Sequence, residues 1–319
     1  MNSKIILTLL NIPRISRNIV RYIFTHTDSV PTTKNEIVDL FSDFHQRNKR
    51  IPIPCLDDIS KAIEKSYSII ENSSKQNIGF VSMLDENFPE SLRNIPDSPV
   101  LLHYKGNYNC LLNTNSVAII GTRIPTNHGI GVAEKLGMTF GKDGFVVISG
   151  LAQGCDEFGH KGCIKSNGQT VAVMAGGLDS VYPSKNKDLA KLILDTNGCL
   201  ISEYAIGVKP FRSSFVERDR LQSGLSVAVI VVETDIKGGT LHTVGDALLQ
   251  NRILACYKHP DKYLNEKQSQ GNQMLISEGK AIPLANEIDI QNLKNKILAG
   301  EYVKNDIKPV EKYDQIRFF

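Results

Sequence analysis

Four stretches of this chain have the residue types and spacing to grip phosphate. In the first, the apolar run Val117-Ala-Ile-Ile120 ends in Gly121-Thr122-Arg123. Glycines let backbone amides approach an anion, and an arginine there offers a planar five-donor fork that matches phosphate oxygens. In the second, Ser149-Gly150-Leu-Ala-Gln153-Gly154 closes another apolar run. It is a second glycine-rich turn opening toward a helix. The third is Lys209-Pro-Phe-Arg212-Ser-Ser-Phe215-Val-Glu-Arg218-Asp-Arg220, in which cations alternate with rings. That alternation suits a single nucleic-acid strand, because cations follow phosphates while ring faces stack on exposed bases. The fourth is Gly238-Gly239-Thr240, at the start of an expected helix. Each has a purely structural alternative: an arginine tying two turns together, Phe215 in the core, or arginines paired with Glu217 and Asp219.

Other chemistries fit less well. A dinucleotide fingerprint needs G-x-G-x-x-G after the first strand and an acid closing the second, and neither is present. No G-x-x-x-x-G-K-[ST] occurs, and Ser149 lacks the preceding glycine of a nucleophile elbow. Asp156 and His160 stand four apart, the spacing of a metal pair, but no third ligand follows, so no metal is expected. Glu233 closes a strand as a catalytic candidate with no visible partner, and Asp179 reads as a turn residue. The six cysteines contain no C-x-x-C and read as reduced thiols of a cytoplasmic protein. Formal charge is only +3, so basic surfaces must be local.

These turns need elements to hold them. Between Ser116 and Leu284, short apolar runs at Val117–Ile120, Phe145–Ile148, Thr170–Met174, Cys199–Ile201, Val227–Val232 and Ile253–Cys256 alternate with helix-length amphipathic segments, with Ala281–Leu284 as an edge. Such runs predict an α/β fold, a doubly wound and mostly parallel Rossmann-like sheet over 116–288. Its ligand would bind beyond the carboxyl ends of the strands. Residues 1–75 carry helical periodicity (Ile5, Leu9, Ile12; Ile59, Ile63, Tyr67, Ile70) and predict a small accessory helical module. The proline-bearing 76–115 reads as a connector and 289–319 as a short tail. Ile5–Leu10 is followed at once by Pro13 and Arg14, unlike a signal peptide, and no run reaches the roughly 18 apolar residues of a membrane span.

Taken in order, the motifs resemble the DNA-processing protein A (DprA/Smf) family. The resemblance rests on Val117-Ala-Ile-Ile-Gly-Thr-Arg123, Ser149-Gly-Leu-Ala, Gly177-Leu-Asp with Tyr182-Pro183, Ser202-Glu-Tyr204, Phe215 with Arg218-x-Arg220, Gly224-Leu-Ser226 and Gly238-Gly-Thr-Leu241. It implies an extended Rossmann-like domain with a sterile-alpha-motif-like helical module before it. It also implies a non-enzymatic, cofactor-free protein that binds single-stranded DNA, helps load a RecA-type recombinase in recombination or natural transformation, and forms a homodimer. The family's phosphate grip would fall on Arg123 and the glycine turns, its aromatic stack on Phe215, and its basic residues on Arg212, Arg218 and Arg220. The chain departs from the family pattern at Gln153, at Val216-Glu217 and at Asp219, where the family has basic residues, Pro-Arg and Asn. The residues after Leu284 are too few for the winged-helix domain of many relatives. A second reading is a phosphoribosyl-ligand enzyme of the related Rossmann group, since Glu233 and Gly238-Gly-Thr240 resemble its glycine-glutamate motif in the reverse order.

Overall fold

The computed structural model describes residues 2–300, which fall into two compact units. The aromatic end Ile316–Phe319 lies outside the described residues.

The smaller unit comprises residues 2–88 and 98–103. It contains α1 (Asn2–Leu10), α2 (Arg17–Phe24), α3 (Lys34–Arg47), α4 (Leu56–Ser74) and β1 (Ile78–Ser82). The helices start where the sequence supplies caps: the Ser16 hydroxyl accepts from Ile19 N and the Thr33 hydroxyl from Glu36 N, satisfying amides that have no intrahelical partner. Their apolar stripes meet in a core of Ile6, Leu9, Ile23, Phe41 and Ile59, all fully buried. Each such side chain contributes about 1.5–3 kcal/mol by leaving water. Tyr67, expected on that stripe, instead faces solvent and takes a hydrogen bond from Lys4 Nζ (2.5 Å). Arg21, on α2, is used internally, donating to Ser98 O and Asn18 Oδ1.

The larger unit comprises residues 89–97 and 104–300, so the expected connector 76–115 is divided between the two. In chain order it contains α5 (Glu90–Arg93), the last residues of β2 (Leu101–Gly106), β3 (Ser116–Ile120), α6 (Asn127–Lys142), β4 (Val146–Ser149), α7 (Cys155–Lys165) and β5 (Thr170–Val173). It continues with α8 (Lys187–Asp195), β6 (Cys199–Ser202), α9 (Arg212–Gly224), β7 (Ala228–Val231), α10 (Thr240–Leu249), β8 (Ile253–Tyr257), α11 (Lys267–Ser277), β9 (Ile282–Leu284) and α12 (Glu287–Leu298). Strands β6-β5-β4-β3-β7-β8-β9 lie side by side, every neighbouring pair parallel. This is the mixed α/β, mostly parallel, Rossmann-like sheet that the apolar runs predict. Alternate residues serve opposite faces: Val117, Ile119 and Ile230 pack beneath α6 and α12, while Ala118, Ile120, Val229 and Val231 pack beneath α10 and α11.

The expected tail begins instead as α12. The Asn286 side chain accepts from Ile288 N and Asp289 N, Asp289 reaches back to Asn286 N, and Ile290, Leu293 and Ile297 enter the core. Five cysteines are buried, and burial pushes the Cys110 thiol up to about 11 and those of Cys163 and Cys256 to about 12. Such thiols are poor nucleophiles at neutral pH. Among the described residues no helix is long and apolar enough to cross a membrane.

The chain leaves β3 to one side through α6 and β4, and returns to its other side through α9 and β7. A crevice therefore opens beyond the carboxyl end of β3, at the topological switch point.

Candidate nucleic-acid interface

Two cavities occupy that crevice. The larger, about 450 Å³, is lined by Gly121, Thr122 and Arg123 after β3, by Phe215, Arg218 and Asp219 on α9, and by Gly238, Gly239 and Thr240 at the start of α10. The smaller, about 90 Å³, is lined by Gly150 and Gln153 after β4, by Tyr182 and Pro183, and by Phe215 and Arg218. Arg123, Ala152, Phe215 and Arg218 line both, so these four side chains form a wall between two compartments of one opening.

The wall is built from the turns after β3 and β4 and from α9. Arg123 is exposed, and its guanidinium carbon lies 5.4 Å from the centre of the Phe215 ring. The Tyr182 ring stands 5.3 Å from the Phe215 ring, tilted by 57°. Phe215 and Arg218 are three residues apart on α9 and so share a helix face. Arg218 is only 5% exposed, and its Nε and Nη1 atoms make no hydrogen bond; Asp219 Oδ1 lies 3.4 Å from Nε. A buried guanidinium short of acceptors is costly. Its room comes from Gly150, where a Cβ would sit 1.3 Å from Arg218 Nη1.

Carboxylates support this wall and also oppose an anion. Asp156 Oδ2 accepts from Gly150 N (3.0 Å) and Ala152 N (3.4 Å), which fixes the turn after β4. Burial pushes the Asp156 carboxyl up to about 6 against the pull of Arg218. Burial likewise raises Asp219, with Arg218, His242 and Arg123 working the other way. His160, four residues from Asp156, bonds Thr170 Oγ1 through Nδ1 (2.6 Å). The Thr170 hydroxyl already donates to Val147 O, so His160 Nδ1 carries the proton. The two residues thus hold the sheet and the turn, and among the described residues no His, Cys, Asp and Glu side chains form a metal-ligand group.

The sequence-predicted residues separate into four groups. Gly121, Thr122, Arg123, Gly150, Gln153, Phe215, Arg218, Gly238, Gly239 and Thr240 all line the crevice. Gly154 lies just beneath, at φ +85°, where a Cβ would come within 2.5 Å of Thr122 O. Lys209 and Arg212 are exposed but line neither cavity.

Ser149 and Arg220 depart from expectation. The Ser149 hydroxyl is fully buried and donates to Ile119 O (2.7 Å), because a serine ending a central strand has a backbone acceptor closer than solvent. Arg220 is 6% exposed and turned away from the crevice. Its Nη1 and Nη2 clasp Glu203 at 2.6 and 2.8 Å, and its Nε contacts Asp97 Oδ2 at 2.8 Å. Burial opposes its charge, but Glu203 and Asp97 outweigh it and raise its pKa. The arginine is therefore a structural tie.

Glu233 also has an internal task. Its two carboxylate oxygens accept from Thr126 N (2.8 Å) and Thr126 Oγ1 (2.6 Å), and its carbonyl accepts from Thr122 N (2.8 Å). It fixes the Arg123 turn and the start of α6. Tyr182 also lines the crevice, and in the sequence it stands out only as part of the Tyr182-Pro183 motif, because a loop residue shows no periodicity from which its direction could be read.

Sheet order and crevice together define an α/β protein of the Rossmann-like, doubly wound class, with guanidinium groups and an aromatic ring at its switch point. Residues 79–295 match the profile of the family described as DNA recombination-mediator protein A. The chain belongs to that family. It is 36% identical over 250 residues to protein Smf of Synechocystis sp., covering 74% of this chain and 61% of that protein. It is 35% identical over 196 residues to DNA processing protein DprA of Bacillus subtilis, covering 61% of this chain and 66% of that one. The chain thus spans about three fifths to two thirds of the length of these curated relatives. Among solved structures, DNA processing protein A of Streptococcus pneumoniae superposes with a TM-score of 0.71 at 27% identity, covering 91% of this chain and 95% of that chain. DNA processing protein A of Helicobacter pylori, described by its single-stranded DNA binding mode, gives 0.61 at 28% identity, covering 71% and 97%.

Proposed function

We propose that this chain binds single-stranded DNA in the switch-point crevice, without chemically changing it, and acts as a recombination mediator. The observation that carries this is the convergence of Arg123, Phe215 and Arg218 on one wall flanked by three glycine-bearing turns. A ring beside two guanidinium groups suits a thread of alternating base and phosphate, in the way single-strand binders combine stacking with cationic contacts. The single-strand binding named for the Helicobacter pylori relative supports the same ligand here. Transfer of the bound strand to a RecA-type recombinase, action as a homodimer in the cytoplasm, and service in DNA uptake or recombination follow from family membership as parts of this proposal. The phosphoribosyl-enzyme reading is disfavoured, because both carboxylate oxygens of its acidic candidate, Glu233, are engaged by Thr126.

The test is fluorescence anisotropy with labelled oligo-dT. Phe215→Ala is expected to weaken binding by over tenfold, since one base stack is worth roughly 1–3 kcal/mol. Arg123→Ala is expected to lower the magnitude of the slope of log K against log salt by about 0.7, the share of one phosphate on a single strand. Unchanged affinity in Phe215→Ala would remove the proposed crevice.

Binding is also expected to depend on pH. A phosphate beside Arg218 raises the Asp156 pKa above its free value of about 6, so the complex takes up a proton on forming. Affinity therefore rises several-fold as pH falls from 7.5 to 5.5. Asp156→Asn should bind more tightly at pH 7.5 and show a flat profile. A profile of the same steepness in that variant would assign the proton elsewhere.

A further inference from the structure

The smaller compartment differs from the larger in what lines it. Both meet the Arg123 and Arg218 guanidinium groups; the large one adds the Gly121 and Gly238–Gly239 turns, whereas the small one adds Tyr182, half of whose surface is exposed, and Gln153. Tyr182 packs at a tilt against Phe215, 5.3 Å between ring centres, and still keeps about half of its surface exposed. The Gln153 amide has no hydrogen-bond partner among the described residues. At about 90 Å³ the compartment is too small for a nucleotide and holds about three waters' worth of space, enough for the edge of a planar group.

We infer that the Tyr182–Gln153 compartment receives the Watson–Crick edge of one unpaired base and so makes the site selective for single strands. This rests on the DNA-binding reading of the crevice and goes beyond it by assigning the two compartments different halves of a nucleotide. The sugar-phosphate chain lies along the large compartment, between Arg123 and the Gly238–Thr240 turn. One base stacks on Phe215, and its neighbour lies on the exposed part of Tyr182 with its edge toward Gln153. A glutamine amide presents one acceptor and two donors, and the Watson–Crick edge of every base offers an adjacent donor and acceptor. The contact therefore tolerates any sequence. It is unavailable in a duplex, where that edge is already paired. An arginine or lysine at 153 would hold a phosphate instead, and a phosphate is as accessible in a duplex as in a single strand.

The test measures binding of the full chain to oligo-dT, to the same oligonucleotide with one abasic position scanned along it, and to a duplex of equal length. Wild type is expected to lose about tenfold at one or two abasic positions. Tyr182→Ala should lose about tenfold on oligo-dT and become insensitive to the abasic scan, while Tyr182→Phe stays within twofold of wild type. Gln153→Ala should weaken oligo-dT binding three- to tenfold and leave duplex binding unchanged. Gln153→Lys should strengthen duplex binding and steepen the salt slope by about 0.7 or more. Circular dichroism melting checks that each variant is folded. If Phe215→Ala is impaired while Tyr182→Ala and Gln153→Ala bind oligo-dT as tightly as wild type, the compartment assignment is wrong and the crevice stands. If Phe215→Ala also binds normally, the DNA-binding reading itself falls.

Discussion

Arg218→Ala is expected to lower the affinity for oligo-dT by about a hundredfold at pH 7.5. Two effects combine. The guanidinium is the one charged group of the wall that is buried, and its Nε and Nη1 lack hydrogen-bond partners, so a phosphate reaching it gains charge-assisted bonds worth roughly 1.5–3 kcal/mol each. Removing it also takes from Asp156 and Asp219 the cation that offsets them most. About 3 kcal/mol corresponds to roughly a hundredfold in dissociation constant. Arg218→Lys should recover only part of this, since an ammonium cannot supply the planar fork. Arg218→Ala combined with Asp156→Asn should bind more tightly than Arg218→Ala alone, because the repelling carboxylate has gone. Anisotropy titrations on the three variants, each checked for folding, decide the matter. Affinity within threefold of wild type in Arg218→Ala would mean that the buried guanidinium is only a brace.

Two residues along the same helix, the opposite outcome is expected. Arg220→Ala is expected to destabilise the protein by about 3–5 kcal/mol, because it takes the bidentate guanidinium away from the nearly buried Glu203 carboxylate and removes the Arg220–Asp97 ion pair. Urea unfolding followed by circular dichroism should show the midpoint falling with little change in slope. Arg220→Met with Glu203→Met should recover much of the loss, as paired apolar replacement of a buried ion pair often does. The fraction that remains folded in Arg220→Lys should bind oligo-dT within threefold of wild type. Full stability with lost DNA binding in Arg220→Ala would return this arginine to the interface.

The contrast between these two arginines shows what was legible in the sequence. The strands of the switch-point sheet were, because short β-branched runs separated by helix-length segments admit few arrangements, and each predicted run lies within a residue or two of an observed strand. The turns at the carboxyl ends were legible for the same reason. The pairing of Arg218 with Arg220 as one basic unit was misleading. Positions two apart on a helix point about 200° away from each other, so α9 can offer Phe215 and Arg218 to the crevice only by sending Arg220 inward. Its partners, Asp97 and Glu203, are far away in sequence, and no local pattern announces them. The start of α12 did carry a signal, in the capping pair Asn286 and Asp289 and the spacing of Ile290, Leu293 and Ile297, but it lay past the last strand and read as tail. Tyr182 had no such signal, since the direction of a loop side chain is set by the packing of Phe215 against it.

The central claim is that one wall, Arg123 with Phe215 and Arg218, touches the strand. Photocrosslinking of the full chain to oligo-dT carrying a single 5-iodouracil, followed by mass spectrometry of the adducts, tests it most directly. The expected adducts fall on Phe215 and Tyr182 and disappear with excess unlabelled single strand. Adducts confined to helices α1–α4, with none between residues 121 and 240, would contradict the account.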